Sequence, residues 1–236
     1  MANIQIMDSR YWNGVIPAGY DYIKGFIAKV SDGDYYTSPD FVVQYRAAEQ
    51  LFGKARSAWA FFKGVSDPKL AAKRYHEAMV AAGGYGGIPP IIDIEDKFAP
   101  KNKTTPEKAW IQLLEMEQLS GREVMVYTGG WYWDSWCAPF IPLTHPIYKK
   151  ALWESDPSPD TPIKGWPAGG VMVQTILDWY APGFKDTVGH AGRIDLSDVP
   201  QNVFEQWVGP IAPPPQTKTI TLSLEAYEEL KRAVNG

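Results

Sequence analysis

Two carboxylates, Asp93 and Glu95, close the apolar run of residues 91–96 and are the side chains best placed to do chemistry. Side chains alternate between the faces of a strand, so these two acids are expected on one face and Asp96 on the other. Two like charges held this close resist joint ionisation, so one carboxyl should keep its proton to an unusually high pH. A general acid needs such a proton near neutral pH, and the sequence therefore predicts acid catalysis at this pair.

Other polar side chains fall near the ends of apolar runs, namely Asp8, Tyr127, Gln174 and Asp195. Short apolar runs alternate with helical patterns, which favours parallel strands joined by crossover helices. The predicted fold class is α/β, an irregular TIM-like β/α barrel, whose chemistry would sit at the carboxyl ends of the strands. Strands are predicted at residues 4–7, 22–30, 57–62, 91–95, 123–127, 151–153, 171–175 and around Ile194, and helices at 39–52, 68–82 and 106–119.

A change in composition divides the chain near its end. Residues 1–209 are predicted to form the barrel domain, and the prolines of residues 210–216 predict an extended linker. Residues 217–236 alternate like a strand and then place Tyr227, Leu230 and Val234 on one helical face, which predicts a short strand–helix tail. Twenty residues bury too little surface to fold alone, so the tail docks on its own domain, frays, or forms a homo-oligomer.

The composition excludes several classes of protein. The net charge of -4 and 45% hydrophobic residues are typical of globular domains, and no basic block predicts a nucleic-acid partner. No apolar run of roughly 18 residues occurs, so no membrane insertion is expected. The single cysteine, Cys137, excludes an internal disulfide framework. No cofactor is expected, although Asp8, Asp93 and Glu95 could together collect a hard cation, which leaves metal-dependent hydrolysis as a minor alternative.

Taken in order, these residues resemble glycoside hydrolase family 25, the lysozymes that cut bacterial peptidoglycan. The resemblance extends over about residues 4–207. It rests on Asp8 followed by Trp12, a Lys29-containing segment ending in Ser31-Asp32-Gly33, Asp93-Ile94-Glu95, Tyr127-Thr128, Gln174 and Asp195-Leu196.

The resemblance implies a role for each matching residue. Glu95 would be the general acid and Asp93 its partner, with Asp8 and Asp195 as further catalytic carboxylates. The bond cut would be the β-1,4 bond between N-acetylmuramic acid and N-acetylglucosamine, with the acetamido group of the substrate as the nucleophile. One proton shared among four acids would suit the positively charged transition state. The predicted substrate-binding residues are Tyr127, Gln174, Trp12, Lys29, Trp131 and Trp153.

Two departures from the family pattern put the substrate subtype in doubt. The third strand reads Trp59-Ala60-Phe61-Phe62 where members often carry Tyr-His-Phe, and Ser9-Arg10 replaces the usual opening motif. The aromatic residues 131–136 fit a stacking platform and core packing equally well. Two alternatives stay open, a non-catalytic saccharide-binding module on the same barrel and a chitinase-like glycosidase. The retained carboxylates disfavour the first, and the short acidic motif disfavours the second.

The first residues show no basic leader and no long apolar segment, which predicts synthesis in the cytoplasm without a signal peptide. An enzyme of this kind would reach the bacterial cell wall after phage-type lysis or by another export route.

Overall fold

A computed structural model describes residues 3–10, 12, 14, 16–17, 19–155, 162–166, 168–185 and 191–210, and only the backbone of residues 178–181 and 191. Within these residues nine strands form one sheet. They are β1 (Asn3–Ser9), β2 (Ile23–Asp32), β3 (Tyr36–Thr37), β4 (Arg56–Phe61), β5 (Ile91–Asp93), β6 (Met125–Thr128), β7 (Leu152–Glu154), β8 (Met172–Lys185) and β9 (Ala191–Pro200). Five α-helices accompany them in the described ranges: α1 (Phe41–Phe52), α2 (Pro68–Ala81), α3 (Thr104–Ser120), α4 (Gly130–Trp136) and α5 (Gln201–Val208).

The sheet closes into an eight-stranded barrel because β1 pairs with both β2 and β9. From β1 through β8 the pairings between neighbouring barrel strands are parallel, whereas β9 runs antiparallel to both β8 and β1. The two-residue β3 adds to the edge of β2 outside this ring. The predicted α/β barrel is therefore confirmed, and its irregularity lies where β8 and β9 form a long antiparallel pair.

Strand alternation separates the core into two clusters of buried apolar side chains. One cluster takes every second residue of the barrel strands, including Ile27, Ile91 and Met125, and fills the barrel. The intervening residues, among them Ala28 and Ile92, belong to the cluster that packs against the surrounding helices. The interior positions further along the same strands are Lys29, Asp93 and Tyr127, so the alternation that fills the barrel also carries polar groups to its mouth.

The long helices agree closely with the predicted ones. Asp67 caps α2 by accepting hydrogen bonds from the backbone N–H groups of Lys69 and Leu70, at 2.9 and 3.0 Å. Pro68 follows at the first helical position, where it needs no N–H partner. Two of the α-helices were not predicted: α4, which directly follows β6, and α5, which packs against β9 and β1.

The predicted boundary at residue 209 falls one residue after α5 ends at Val208. Apart from Pro210, the predicted linker and the tail lie outside the described residues. Within the part of the chain that is described, no helix combines the length and apolar character needed to cross a membrane.

Candidate active site

A cleft of about 240 Å³ opens where the carboxyl ends of the parallel strands meet. Every predicted catalytic carboxylate lines it, as do four of the six predicted substrate-binding residues. The complete lining is Asp8, Arg10, Lys29, Trp59, Phe61, Asp93, Glu95, Tyr127, Trp153, Gln174 and Asp195. Residues far apart in the sequence therefore meet at the mouth that the strand order predicts.

Asp8 and Asp195 face each other across the first and last strands of the barrel. They are directly paired in the antiparallel register of β1 and β9. Burial raises the pKa of Asp8 well above its usual value, and the charge of Asp195 and a side-chain hydrogen bond to it raise that pKa further. The two carboxyls are therefore expected to share a proton, because two ionised carboxylates this close would repel each other.

Asp93 and Glu95 enter the cleft from the end of β5. The strand ends at Asp93, two residues earlier than the predicted 91–95, and Ile94 continues by donating its backbone N–H to the Tyr127 carbonyl oxygen at 2.9 Å. Burial is the main cause that raises the pKa of Asp93, followed by the charge of Glu95. Burial also raises the pKa of Glu95 to about 7, against the opposing charge of Lys97.

Three carboxyl groups of the cleft thus have raised pKa values, those of Asp8, Asp93 and Glu95. The sequence suggested a single proton for four acids. More than one carboxyl holds a proton because burial makes each ionised form less stable, and this effect adds to the repulsion between neighbouring carboxylates. Glu95 differs from the other two in being only partly buried, so it is the proton-bearing acid that a substrate oxygen can approach most easily.

Gln174 connects the first and sixth strands through its amide. Its Oε1 accepts a hydrogen bond from the Tyr127 hydroxyl at 2.7 Å, and its Nε2 donates to Asp8 Oδ2 at 3.3 Å. Burial raises the pKa of Tyr127, so its hydroxyl keeps the proton that it donates. Beneath them, the Trp153 ring lies 4.5 Å from the Tyr127 ring, and its Nε1 donates to Ser197 Oγ at 3.0 Å. Trp153 therefore forms the floor of the cleft.

The wall opposite this network is aromatic and cationic. Lys29 forms an ion pair with Asp32 at 2.6 Å, and its Nζ lies 5.0 Å from the Trp59 ring centroid and 5.5 Å from that of Phe61. Sequence reasoning did not include Trp59, Phe61 or Arg10 among the site residues. The signal was available for the two aromatic residues, because they alternate with Ala58 and Ala60 on a strand whose neighbours carry site residues.

Two predicted substrate-binding tryptophans lie outside the cleft lining. Trp12 is only 1% exposed and packs against Phe26 with ring centroids 4.4 Å apart, so its place is in the core. Trp131 lies in the first turn of α4 and is 48% exposed, with Lys97 Nζ 4.9 Å from its ring centroid. Within the aromatic segment 131–136, Tyr132 and Trp133 are fully buried, so core packing accounts for these two side chains.

Asp96 is buried rather than solvated. It accepts a hydrogen bond from the Gly64 backbone N–H at 3.0 Å and another from that of Phe98 at 3.2 Å. It thereby ties the loop after β4 to the loop that carries Glu95, and it takes no part in the cleft. No group of three or more His, Cys, Asp or Glu in the described ranges is arranged to hold a metal ion.

Taken together, the cleft offers a protonated carboxyl, several neighbouring carboxyl groups and aromatic walls. Such a set can donate a proton to a leaving oxygen and stabilise positive charge that develops nearby, which is the chemistry of a glycosidase. The class that fold and site define is therefore a barrel glycoside hydrolase.

Comparison with known proteins gives the family. The sequence profile described as glycosyl hydrolases family 25 matches residues 5–142, more than half of the chain, and the chain belongs to this family. It is accordingly a glycoside hydrolase. A search of curated protein sequences found no match.

Several solved structures share the fold. A family 25 glycosyl hydrolase from Bacillus anthracis is 18% identical, with a TM-score of 0.68 over 88% of this chain and 94% of that one. The lysozyme from Streptomyces coelicolor is also 18% identical, with a TM-score of 0.65 over 88% and 98%. The CTP1L endolysin is 17% identical, with a TM-score of 0.66 over 85% and 68%.

Proposed function

We propose that the protein hydrolyses bacterial peptidoglycan at the β-1,4 bond between N-acetylmuramic acid and N-acetylglucosamine. The observation that carries this proposal is the acidic cleft of a family 25 barrel, in which burial raises the pKa of Glu95 to about 7. The muramidases and lysozymes among the structures of the same fold support the choice of substrate.

Glu95 acts as the general acid. It donates its proton to the glycosidic oxygen while the bond from that oxygen to the anomeric carbon breaks. Asp8, Asp195 and Asp93 lie around the same cleft, where the one negative charge left on the proton-sharing pair of Asp8 and Asp195 stabilises the positive charge that grows on the sugar ring. After the leaving sugar departs, Glu95 takes a proton from the water that completes hydrolysis.

Asp93 orients the nucleophile rather than serving as one. Its Oδ1 atom is buried and has no hydrogen-bond partner within the described parts of the chain, so it can accept the N–H of the substrate acetamido group. That contact directs the acetamido carbonyl oxygen toward the anomeric carbon, and the cyclic intermediate then opens to water with net retention. The remaining predicted binding residues of the cleft, Tyr127, Gln174 and Lys29, position the sugar through their polar groups.

The Glu95→Gln variant tests the role of the general acid. Glutamine keeps the shape of the side chain but cannot donate an acidic proton, so release of soluble fragments from purified peptidoglycan should fall about 100- to 10,000-fold. Circular dichroism shows whether the fold is retained. The conservative control is Glu123→Gln, since Glu123 lies outside the cleft. Near-normal activity in a folded Glu95→Gln variant removes Glu95 from this role.

Two further expectations have no structural test among the described residues. Self-association through residues 217–236 stays a prediction. Action at the bacterial cell wall also stays a prediction, and it agrees with a fold shared with an endolysin.

A further inference from the structure

An apolar groove of about 840 Å³ lies far from the cleft, at the end of the barrel where the parallel strands begin. Its walls come from three places: the start of β2 with Ile23 and the residues before it, the last turn of α1 with Leu51 and Phe52, and the end of α5 with Phe204 and Val208. It is larger than the 240 Å³ cleft and shares no residue with it.

The groove exposes apolar surface that a folded protein usually covers. Leu51 is 51% exposed there, while Ile16, Tyr20 and Val208 are only partly buried. Contiguous exposed apolar surface marks a place where something binds. The charged groups at the rim are two lysines, Lys24 and Lys54, and one acid, Asp21.

Helix α5 ends at the wall of this groove. Gly209 and Pro210 both line it, and residues 211–236 follow directly. An extended proline-rich linker rises about 3.1 Å per residue, so residues 211–216 carry the chain at most roughly 19 Å from Pro210. A linker of this length keeps residues 217–236 within reach of the groove.

The sequence of that segment is complementary to the groove. It places Tyr227, Leu230 and Val234 on one helical face, and acids stand beside this face at Glu225, Glu228 and Glu229. Ten helical residues would be about 15 Å long and cannot bury that face on their own. A partner joined by a short linker acts at a millimolar effective concentration, which favours docking within one chain over docking between chains.

We propose that the groove is the docking site of the chain's own C-terminal segment, with the face of Tyr227, Leu230 and Val234 against Leu51 and Val208. The segment then closes the end of the barrel opposite the active site, and its acids face the rim lysines. The barrel and tail are one folding unit on this account.

Disulfide trapping in the full-length chain tests the contact. Leu51→Cys is combined in turn with Tyr227→Cys, Leu230→Cys and Val234→Cys, and the proteins are oxidised at low concentration. Cys137 is fully buried, and burial raises the pKa of its thiol, so it stays out of the exchange. Val43→Cys provides the matched control, because Val43 lies on the same helix, is 66% exposed and does not line the groove.

We expect at least one Leu51 pair to form a disulfide within a single chain, seen as a faster-migrating monomer on a non-reducing gel, with no such band for the Val43 pairs. Disulfides that join two chains would overturn docking within the chain and place the segment on a second copy. Trapping no greater than in the Val43 pairs would overturn the contact altogether.

A double-mutant cycle gives a second measurement that does not depend on disulfide geometry. Leu51→Asp and Leu230→Asp should each lower the melting temperature of the full chain, and together they should lower it by clearly less than the sum. Val43→Asp replaces Leu51→Asp as the control and should be additive with Leu230→Asp. Additive effects of Leu51→Asp and Leu230→Asp would contradict the proposal.

Discussion

At the scale of single residues, acid catalysis in the cleft depends on the pKa of Glu95, on which two effects act in opposite directions. Burial raises its pKa to about 7, and the positive charge of Lys97 acts in the opposite direction. A general acid works best when its pKa lies near the working pH, since it must hold a proton and still release it. The charge of Lys97 therefore adjusts the pKa of Glu95, although Lys97 takes no part in breaking the bond.

Removing the charge of Lys97 should move the pH profile. Glu95 must be protonated to act, so activity of the wild-type enzyme should decline as the pH rises through about 7. In Lys97→Met the opposing charge is gone, and this decline should shift to higher pH. The measurement is the initial rate of peptidoglycan hydrolysis between pH 5 and pH 9 at constant ionic strength.

Lys101→Met is the matched control for this profile. Lys101 belongs to the same loop, and its Nζ lies 3.6 Å from the Trp136 ring centroid, but it is not among the charges that shift Glu95. An equal shift in both variants would show a general effect of surface charge. No shift in Lys97→Met would contradict the assigned influence of Lys97 on the acid.

At the scale of elements, strand ends position the chemistry and hydrogen bonds between strands hold it in place. The link from Tyr127 on β6 through Gln174 on β8 to Asp8 on β1 crosses the mouth of the barrel. It fixes the orientation of the Gln174 amide, which therefore presents its N–H to the Asp8 carboxyl. This contact lowers the pKa of Asp8, whereas burial, the largest cause, and the charge of Asp195 raise it.

Tyr127→Phe tests this link. The substitution keeps the ring that contacts Trp153 but leaves the buried Gln174 Oε1 with only the longer contact from Ser155 at 3.4 Å. Stability should fall by about 1 kcal/mol and activity should fall with it, because the amide loses its fixed orientation. Chemical denaturation and hydrolysis rates measure both effects. Tyr22→Phe is the control, since Tyr22 is 42% exposed and outside the cleft. Unchanged stability and activity in Tyr127→Phe would contradict the role of the link.

The elements that sequence predicted well are those with a strong local pattern. The helices α1 to α3 and the strands that carry Asp8 and Asp93 have clear periodicity, and α2 also has a capping aspartate. The order of these elements alone places the carboxylates at one mouth. The long antiparallel β8–β9 pair was not predicted because strand length depends on a partner distant in sequence. Trp12 was predicted to bind substrate but lies in the core. The sequence does not separate these two roles, because an aromatic ring suits both sugar binding and core packing.

At the scale of the whole molecule, the cleft makes stability depend on pH. Glu95 has a pKa of about 7 in the folded protein and 4.5 in its ordinary state. A carboxyl whose pKa is raised by folding contributes stability that is fully present below pH 4.5 and lost as the pH rises through about 7. Asp8 and Asp93 act in the same direction because burial raises their pKa values too.

Glu95→Gln should therefore be more stable than the wild type at pH 8, while the two should differ little at pH 4. Glutamine cannot ionise, so it escapes the cost of burying a charge, which is on the order of a few kcal/mol. Thermal unfolding at both pH values measures the difference. A gain in melting temperature that is the same at pH 4 and pH 8 would contradict the ionisation argument.

The central claim concerns the bond that is cut, and the reducing ends of the products test it most directly. Purified peptidoglycan is digested with the full-length protein, the fragments are reduced with borohydride, and mass spectrometry identifies the reduced sugar. The account predicts reduced N-acetylmuramic acid at the fragment ends and no such ends with Glu95→Gln. Reduced N-acetylglucosamine, or cleaved peptides with intact glycan strands, would contradict it.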